Sequence, residues 1–270
     1  MKYLKTQQTK LIEAERWDYD FHEPPLLIHH FDATIVKRVS DVAEIVKLKK
    51  DPTLNANEIF KYIDIASVNI ETGEIERYQE LTGAEAPSRA RKLVQAYDII
   101  ISTCRPTRRA VAVVPEELHG QICSTGFSVI RAKENINPLY LHFALRLDST
   151  MEQFHKFATG SSYPAILDSD VEKTLIPVPD IKEQNNIVKR LRKSLQERQL
   201  LLSEMDRKWN EVLDNSINQL QTKDFDFSDL DDNDLDMIYS HDQIIRRLSD
   251  LPSLVSELGD DEQLILDFEE

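Results

Sequence analysis

The 270-residue sequence has six glycines, two cysteines, 7% aromatics and no long apolar run. The glycines stand at 73, 83, 120, 126, 160 and 259, and none belongs to GxGxxG or GxxxxGK[ST]. No phosphate-cradling loop of either kind is therefore present. Cys104 and Cys123 form no CxxC, which excludes a disulfide scaffold and a four-cysteine zinc site. Both lie in apolar, strand-like stretches and read as small buried residues. No apolar run approaches the ~20 residues that span a bilayer. The start, Met1-Lys2-Tyr3-Leu4-Lys5, lacks the apolar core of a signal peptide, so the expectation is a cytoplasmic chain without a membrane partner.

Other catalytic or metal patterns are weak. Glu23-Pro24-Pro25-Leu26 departs from the amino-methyltransferase motif at both its acid or amide and its aromatic position. Asp168, Asp180 and Lys182 can be aligned with a nuclease-like acid/lysine pattern, but the spacing is loose. They read as a loop acid and a helix-start acid. His29 and His30, with His22 nearby, are not followed by HxxxH or HExxH, and they read as a surface turn.

The net charge of −15 argues at first against a polyanionic partner. It is unevenly placed, however. Residues 222–270 hold 16 acidic and 3 basic residues (Lys223, Arg246, Arg247), a net of −13, which leaves −2 for residues 1–221. The chain is a near-neutral body with an acidic tail. The tail either solubilises or docks a partner, or it mimics DNA charge and masks a basic face. Deleting residues 223–270 and measuring DNA affinity at two salt concentrations separates these readings.

Residues 1–32 read as an N-terminal helix (4–16) and an extended Pro-Pro arm (17–32). Residues 33–180 mix elements. Ile59–Ile65 alternates at period two, Ser67–Ile70 precedes a Thr72-Gly73 turn, and Ile99–Ser102, Ala110–Val114 and Phe127–Ile130 are apolar β-formers. Tyr140–Phe157 predicts one helix with an apolar face, with Pro138 in its first turn. Strands and helices without regular alternation indicate an α+β fold. Ile176-Pro177-Val178-Pro179-Asp180 reads as a rigid linker. Residues 181–222 lack Gly and Pro and predict a helix ~60 Å long. Val188, Leu191, Leu195, Leu202, Met205, Trp209 and Val212 form a heptad-like seam on it that calls for a partner helix. Residues 223–270 form the acidic, largely flexible tail.

Basic residues gather where apolar strands do. Ser88 to Arg109 holds Arg89, Arg91, Lys92, Arg105, Arg108 and Arg109 against one acid, Asp98. Guanidinium forks suit phosphate oxygens and guanine edges. Ser88, Gln95, Ser102, Thr103 and Thr107 add hydroxyls and amides.

The same stretch carries a family resemblance. Ser88-Arg89-Ala90-Arg91-Lys92-Leu93-Val94, Asp98–Pro106 and Arg109–Val113 resemble target-recognition domains of specificity (S) subunits of type I restriction-modification systems. Ser124-Thr125-Gly126-Phe127-Ser128-Val129 is similar to that family's STGFxV strand. Thr159-Gly160-Ser161-Ser162-Tyr163-Pro164-Ala165-Ile166 is similar to its TGSxYP turn. Ile176–Pro179 with Glu183-Gln184 and Ile187-Val188 is similar to its junction into the conserved helix. Arg16-Trp17-Asp18 and Val39–Ile45 match the lead-in. The likeness covers about residues 14–215.

The resemblance implies a recognition subunit rather than an enzyme. Its partners would be double-stranded DNA, a DNA adenine methyltransferase subunit and a restriction/translocase subunit. S-adenosylmethionine, Mg²⁺ and ATP would sit on those partners, with no cofactor in this chain. Family members carry two recognition domains separated by long helices. With one of each, this chain resembles half a subunit, working as a homodimer or beside another half on a split target. The six basic residues, and the turn at Ser161, Ser162 and Tyr163, are the DNA-contact candidates. Two other classes compete: a protein-interaction adaptor built from the helix and tail without DNA reading, and a self-contained nuclease.

Overall fold

The computed structural model describes residues 27–160 and 162–223. The helix expected over 4–16, the arm up to residue 26, Ser161 and the tail beyond Lys223 lie outside the described residues. The chain divides into two units, residues 1–200 and 201–270.

The architecture is α+β. In the first unit the strands are β1 (Val36–Arg38), β2 (Ala43–Ile45), β3 (Ile59–Ile63), β4 (Gln79–Thr82), β5 (Ala90–Leu93), β6 (Ile99–Ser102), β7 (Val111–Val113), β8 (Ile122–Ser124), β9 (Phe127–Ala132) and β10 (Leu175–Pro177). The helices are α1 (Val39–Val42), α2 (Pro138–Ala144), α3 (Asp148–Phe157), α4 (Asp168–Lys173) and the long α5 (Ile181–Thr222). One sheet has the order β2-β9-β6-β7, all antiparallel. A second has the order β4-β3-β8-β5, with β3 and β8 parallel. The chain crosses from the second sheet to the first through two residues, Thr125 and Gly126, between β8 and β9.

β6 explains the packing. Its residues Ile99, Ile100, Ile101 and Ser102 are all buried, as a strand covered on both faces must be. Ile99 and Ile101 enter a core shared with Tyr140, Leu141, Phe154, Ile176 and Val188. Ile100 faces the other way, into a core with Ile63, Val94, Ala112, Phe127 and Val129. Burying each isoleucine contributes roughly 2 kcal/mol.

Three segments differ from the sequence expectation. The helix expected over Tyr140–Phe157 is two. α2 starts at Asn137, whose side chain accepts the Leu139 and Tyr140 amides at 2.9 and 3.4 Å, with Pro138 in the first turn. It stops before Leu147, which is extended (φ −64°, ψ 152°), and Asp148 opens α3. Thr150 Oγ1 donates to the Ala144 carbonyl at 2.9 Å and holds the joint. Second, Leu175–Pro177 is a strand rather than a linker, paired antiparallel with Val36–Arg38. Its other edge is taken by the buried Gln153 amide, which bonds both the N–H and the C=O of Leu175 at 2.8 Å. Third, Leu27–His30 is a 3₁₀ turn with Ile28 buried, where an extended arm was expected; His29 and His30 are exposed.

The long helix is capped by Asp180, whose carboxylate accepts the Glu183 amide at 2.9 Å. Within the first unit Val188 is buried and Leu191 and Leu195 are half-buried. In the second unit the described residues continue α5, and Leu202, Met205, Trp209 and Val212 are exposed by 42, 65, 63 and 57%. Among the described residues no helix is long and apolar enough to cross a membrane.

Candidate nucleic-acid interface

The crossover at Thr125-Gly126 joins the two basic stretches of the sequence. The Thr125 amide donates to the Arg89 carbonyl at 2.9 Å. The Gly126 carbonyl accepts the Thr103 amide at 2.8 Å and its hydroxyl at 2.9 Å. The Thr103 carbonyl accepts the Ile166 amide at 3.0 Å, and the Arg105 amide donates to Pro164 O at 2.7 Å. Backbone bonds thus set the Arg89 turn, the Ser124–Gly126 turn, the 103–109 loop and the 159–166 turn side by side.

The 103–109 loop turns sharply. Arg105 (φ 47°) and Arg109 (φ 61°) are both left-handed and flank the 3₁₀ turn Pro106–Arg108. Left-handed backbone at a non-glycine residue costs on the order of 1 kcal/mol or more. Buried Pro106 anchors the turn, and Arg108 is exposed at its end. The Arg105 guanidinium lies over the Tyr163 ring, 4.8 Å from its centre. Tyr163 is 76% exposed. Its turn is closed by paired Thr159–Ala165 bonds of 2.9 Å, and Gly160 adopts φ +97° where a Cβ would sit 3.0 Å from Tyr163 O. An exposed aromatic under an arginine offers a flat face and a cation together.

The structure divides the six basic candidates. Arg89, Arg105 and Arg108 belong to this run of loops, and among the described residues the Arg89 and Arg108 side chains have no bonded partner. Arg109 is drawn back by an ion pair with Asp148. Arg91 donates to the carbonyls of Ala90 (2.8 Å) and Pro87 (3.4 Å), and lies 3.6 Å from Asp51. Lys92 turns inward, where Nζ donates to Phe127 O at 2.5 Å. Ser162 is exposed. Asp98, the lone acid of the stretch, is fully buried and bonds Arg131 through both oxygens. Cys123 is buried, and burial pushes its thiol up to about 12. Cys104 is exposed, contrary to the expectation, because the chain turns outward at Arg105. Asp168 opens α4, Asp180 caps α5 and Lys182 is exposed on α5's first turn.

Three residues have positioning roles that the sequence reading did not assign: Arg146 and His142 carried no motif, and Gln184 stood only within the junction resemblance. Arg146, just past α2, donates to four carbonyls: Arg109 and Val111 at 3.2 Å, Ile70 at 2.9 Å and Glu71 at 2.7 Å. Burial, then the neighbouring charge of Arg109, lowers its pKa. His142 Nε2 lies 3.1 Å from Val111 O, and burial pulls its pKa down to about 4. It packs over Gly73 (φ +74°), where any Cβ would overlap the imidazole. Gln184, 1% exposed, accepts the Asn137 amide at 2.9 Å. The only sequence signal for Arg146 was a lone cation between Leu145 and Leu147.

Residues 34–202 match the type I restriction modification DNA specificity domain. The chain belongs to this family. It is 30% identical over 107 residues to the type I restriction enzyme HindI specificity subunit of Haemophilus influenzae, a stretch covering 38% of this chain and 23% of that protein. It resembles the HsdS subunit of Thermoanaerobacter tengcongensis with a TM-score of 0.55 and 38% identity, over 69% of this chain and 47% of the other. A second solved structure, concerned with complex assembly and conformational transition of the type I R-M system, gives a TM-score of 0.56 and 35% identity over 73% and 50% of the two chains. The specificity domain described here therefore spans half or less of the length of these relatives. The matched family is one of DNA specificity domains, and residues 34–202 of the chain are such a domain.

Proposed function

We propose that this specificity domain reads double-stranded DNA sequence for a type I restriction-modification complex. One observation supports the reading most: Arg89, Arg105, Arg108 and Tyr163 converge on a single run of loops joined by the Ser124–Gly126 turn. Guanidinium groups there hold phosphates and set register, while Arg105 with Tyr163 presents a flat, charged face to a groove. Asp98 does not neutralise the cluster, because Arg131 occupies it.

In this reading the domain directs a DNA adenine methyltransferase subunit and a restriction/translocase subunit. Those partners bring S-adenosylmethionine, Mg²⁺ and ATP, and this chain supplies none of the chemistry. The exposed side chains Leu202, Met205, Trp209 and Val212 form the face for a second copy or another half-subunit. Two such heads on paired helices read a split target.

The test is selection of a random-sequence duplex library on the full-length chain with its methyltransferase partner, at two salt concentrations. A recovered consensus whose affinity falls steeply with salt supports the proposal. Binding without preference among duplexes, with partner protein still captured, returns the chain to the adaptor class.

A further inference from the structure

α2 is seven residues long and is bonded at both ends to different functional parts of the first unit. At its start, the Asn137 amide donates to Gln184 Oε1 at 2.9 Å, and Asn137 Nδ2 donates to Asn185 Oδ1 at 2.8 Å. Gln184 is buried, and its Nε2 donates to Pro179 O at 2.8 Å, so both ends of the amide are used. In the middle, the Tyr140 hydroxyl donates to Pro177 O at 2.9 Å, four residues before α5 begins. At its exit, Arg146 holds the carbonyls of Arg109 and Val111 at 3.2 Å, and Arg109 Nη1 returns a bond to Arg146 O at 3.4 Å. The same guanidinium holds Ile70 O and Glu71 O, and the Glu71 carboxylate accepts from Arg198 of α5 at 2.9 Å. The Glu71–Arg198 pair is exposed and adds little by itself. The buried amide and the four-carbonyl guanidinium are the stiff links, because each loses several bonds if its partner segment shifts.

We infer that α2 is a strut that fixes the Arg105–Arg109 loop to the start of α5, with Arg146 and Gln184 as the positioning residues at its two ends. Neither residue is one of the proposed DNA contacts, since both are bonded to groups of the chain itself. Their role is to hold the loop at one pitch against the helix that spaces it from a second head. For a split target this pitch matters, since each base pair added between half-sites moves the next one by about 3.4 Å and rotates it by about 35°. This functional consequence rests on the DNA-reading proposal above; the mechanical coupling does not.

Two measurements on the full-length chain test it. In the first, spin labels are placed on exposed Cys104 and on K193C of α5, leaving buried Cys123 unlabelled, and the inter-label distance distribution is recorded. R146K, which cannot hold four carbonyls, broadens the distribution, and so does Q184L at the other end. Unchanged widths in both folded variants overturn the strut. If either variant fails to fold, the other decides.

In the second, the site selected from a random duplex library is rebuilt with its spacer changed by one base pair. The unaltered chain loses about tenfold or more in affinity. R146K loses less than about threefold, yet ranks sequences within each half-site as before. A retained spacer penalty in R146K overturns the functional consequence. A chain that selects no sequence sinks the DNA-reading proposal instead, and leaves the distance measurement to judge the strut.

Discussion

Asp98 binds Arg131 through two parallel hydrogen bonds, Nε to Oδ1 at 2.7 Å and Nη2 to Oδ2 at 2.9 Å. Asp98 is fully buried, and the Gln95 amide donates to its Oδ2 at 2.8 Å. The pair joins the start of β6 to β9. Removing the carboxylate leaves a guanidinium and an amide without their acceptor. We expect D98A to lower unfolding free energy by about 3 kcal/mol in urea titration. A loss under about 1 kcal/mol would show that water replaces the acid.

The basic candidates separate by salt dependence. R89Q and R108Q remove exposed cations, so each weakens DNA binding, and each that held a phosphate flattens the slope of log affinity against log salt by about 1. K92M removes a cation that points at Phe127 O. It leaves the slope unchanged and lowers the melting temperature. A flattened slope in K92M would place Lys92 on the DNA after all.

His142 gives the body an acid limb. Its folded pKa is held at about 4, against an ordinary 6.5, by burial first and by Arg146 second. The unfolded chain takes up this proton near 6.5 and the folded chain only near 4. The contribution to stability is complete above 6.5 and is lost as pH falls toward 4, at no more than about 1.4 kcal/mol per pH unit. Urea titrations at pH 7, 5.5 and 4.5 should show this loss in the unaltered protein and its absence in H142Q. Parallel losses in both proteins would remove His142 from the account.

The seam of α5 divides into a packed part and an exposed part. Val188 lies in the core with Ile99 and Phe154, so V188A costs about 2 kcal/mol of stability. Trp209 is 63% exposed, so W209D leaves the stability of the body unchanged. In sedimentation W209D should abolish self-association or capture of a second half. Association that survives W209D places the partner elsewhere.

Gly73 tests the packing around His142 and Arg146. Its φ of +74° strains any side chain, and a Cβ would overlap the imidazole. G73A should therefore cost more than about 1 kcal/mol in thermal unfolding. Neutral behaviour would mean that His142 has room to move aside.

Much of the fold was legible because its signals are local. Ile99–Ile101 is an apolar run, Ile59–Ile63 alternates, and residues 181–222 contain no helix breaker. What stayed hidden depends on distant partners. No glycine or proline marks the break before Asp148; there Leu147 turns extended and Arg146 bonds carbonyls from residues 70–71 and 109–111 instead. Pro177 disguised β10, although a proline at the end of a two-stranded ribbon removes no ladder bond. In the basic stretch, charge could be counted but direction could not. Lys92 turns inward and Arg89 outward because Thr125 holds the Arg89 backbone and a register shift separates Ala90 from Lys92.

The ribbon of β1 and β10 has an evolutionary consequence. The chain enters the two four-stranded sheets past Val36 and leaves them for α5 past Pro177, and these two residues are partners in one register. The chain between them is closed by this two-stranded neck, and it also meets α5 through Val188 in the core and through the Asn137–Gln184 and Asn137–Asn185 bonds. A different insert would fit the same helix only if it kept that neck and the groups that meet Val188 and Gln184, so an exchange bounded by β1 and β10 is constrained at three places rather than one.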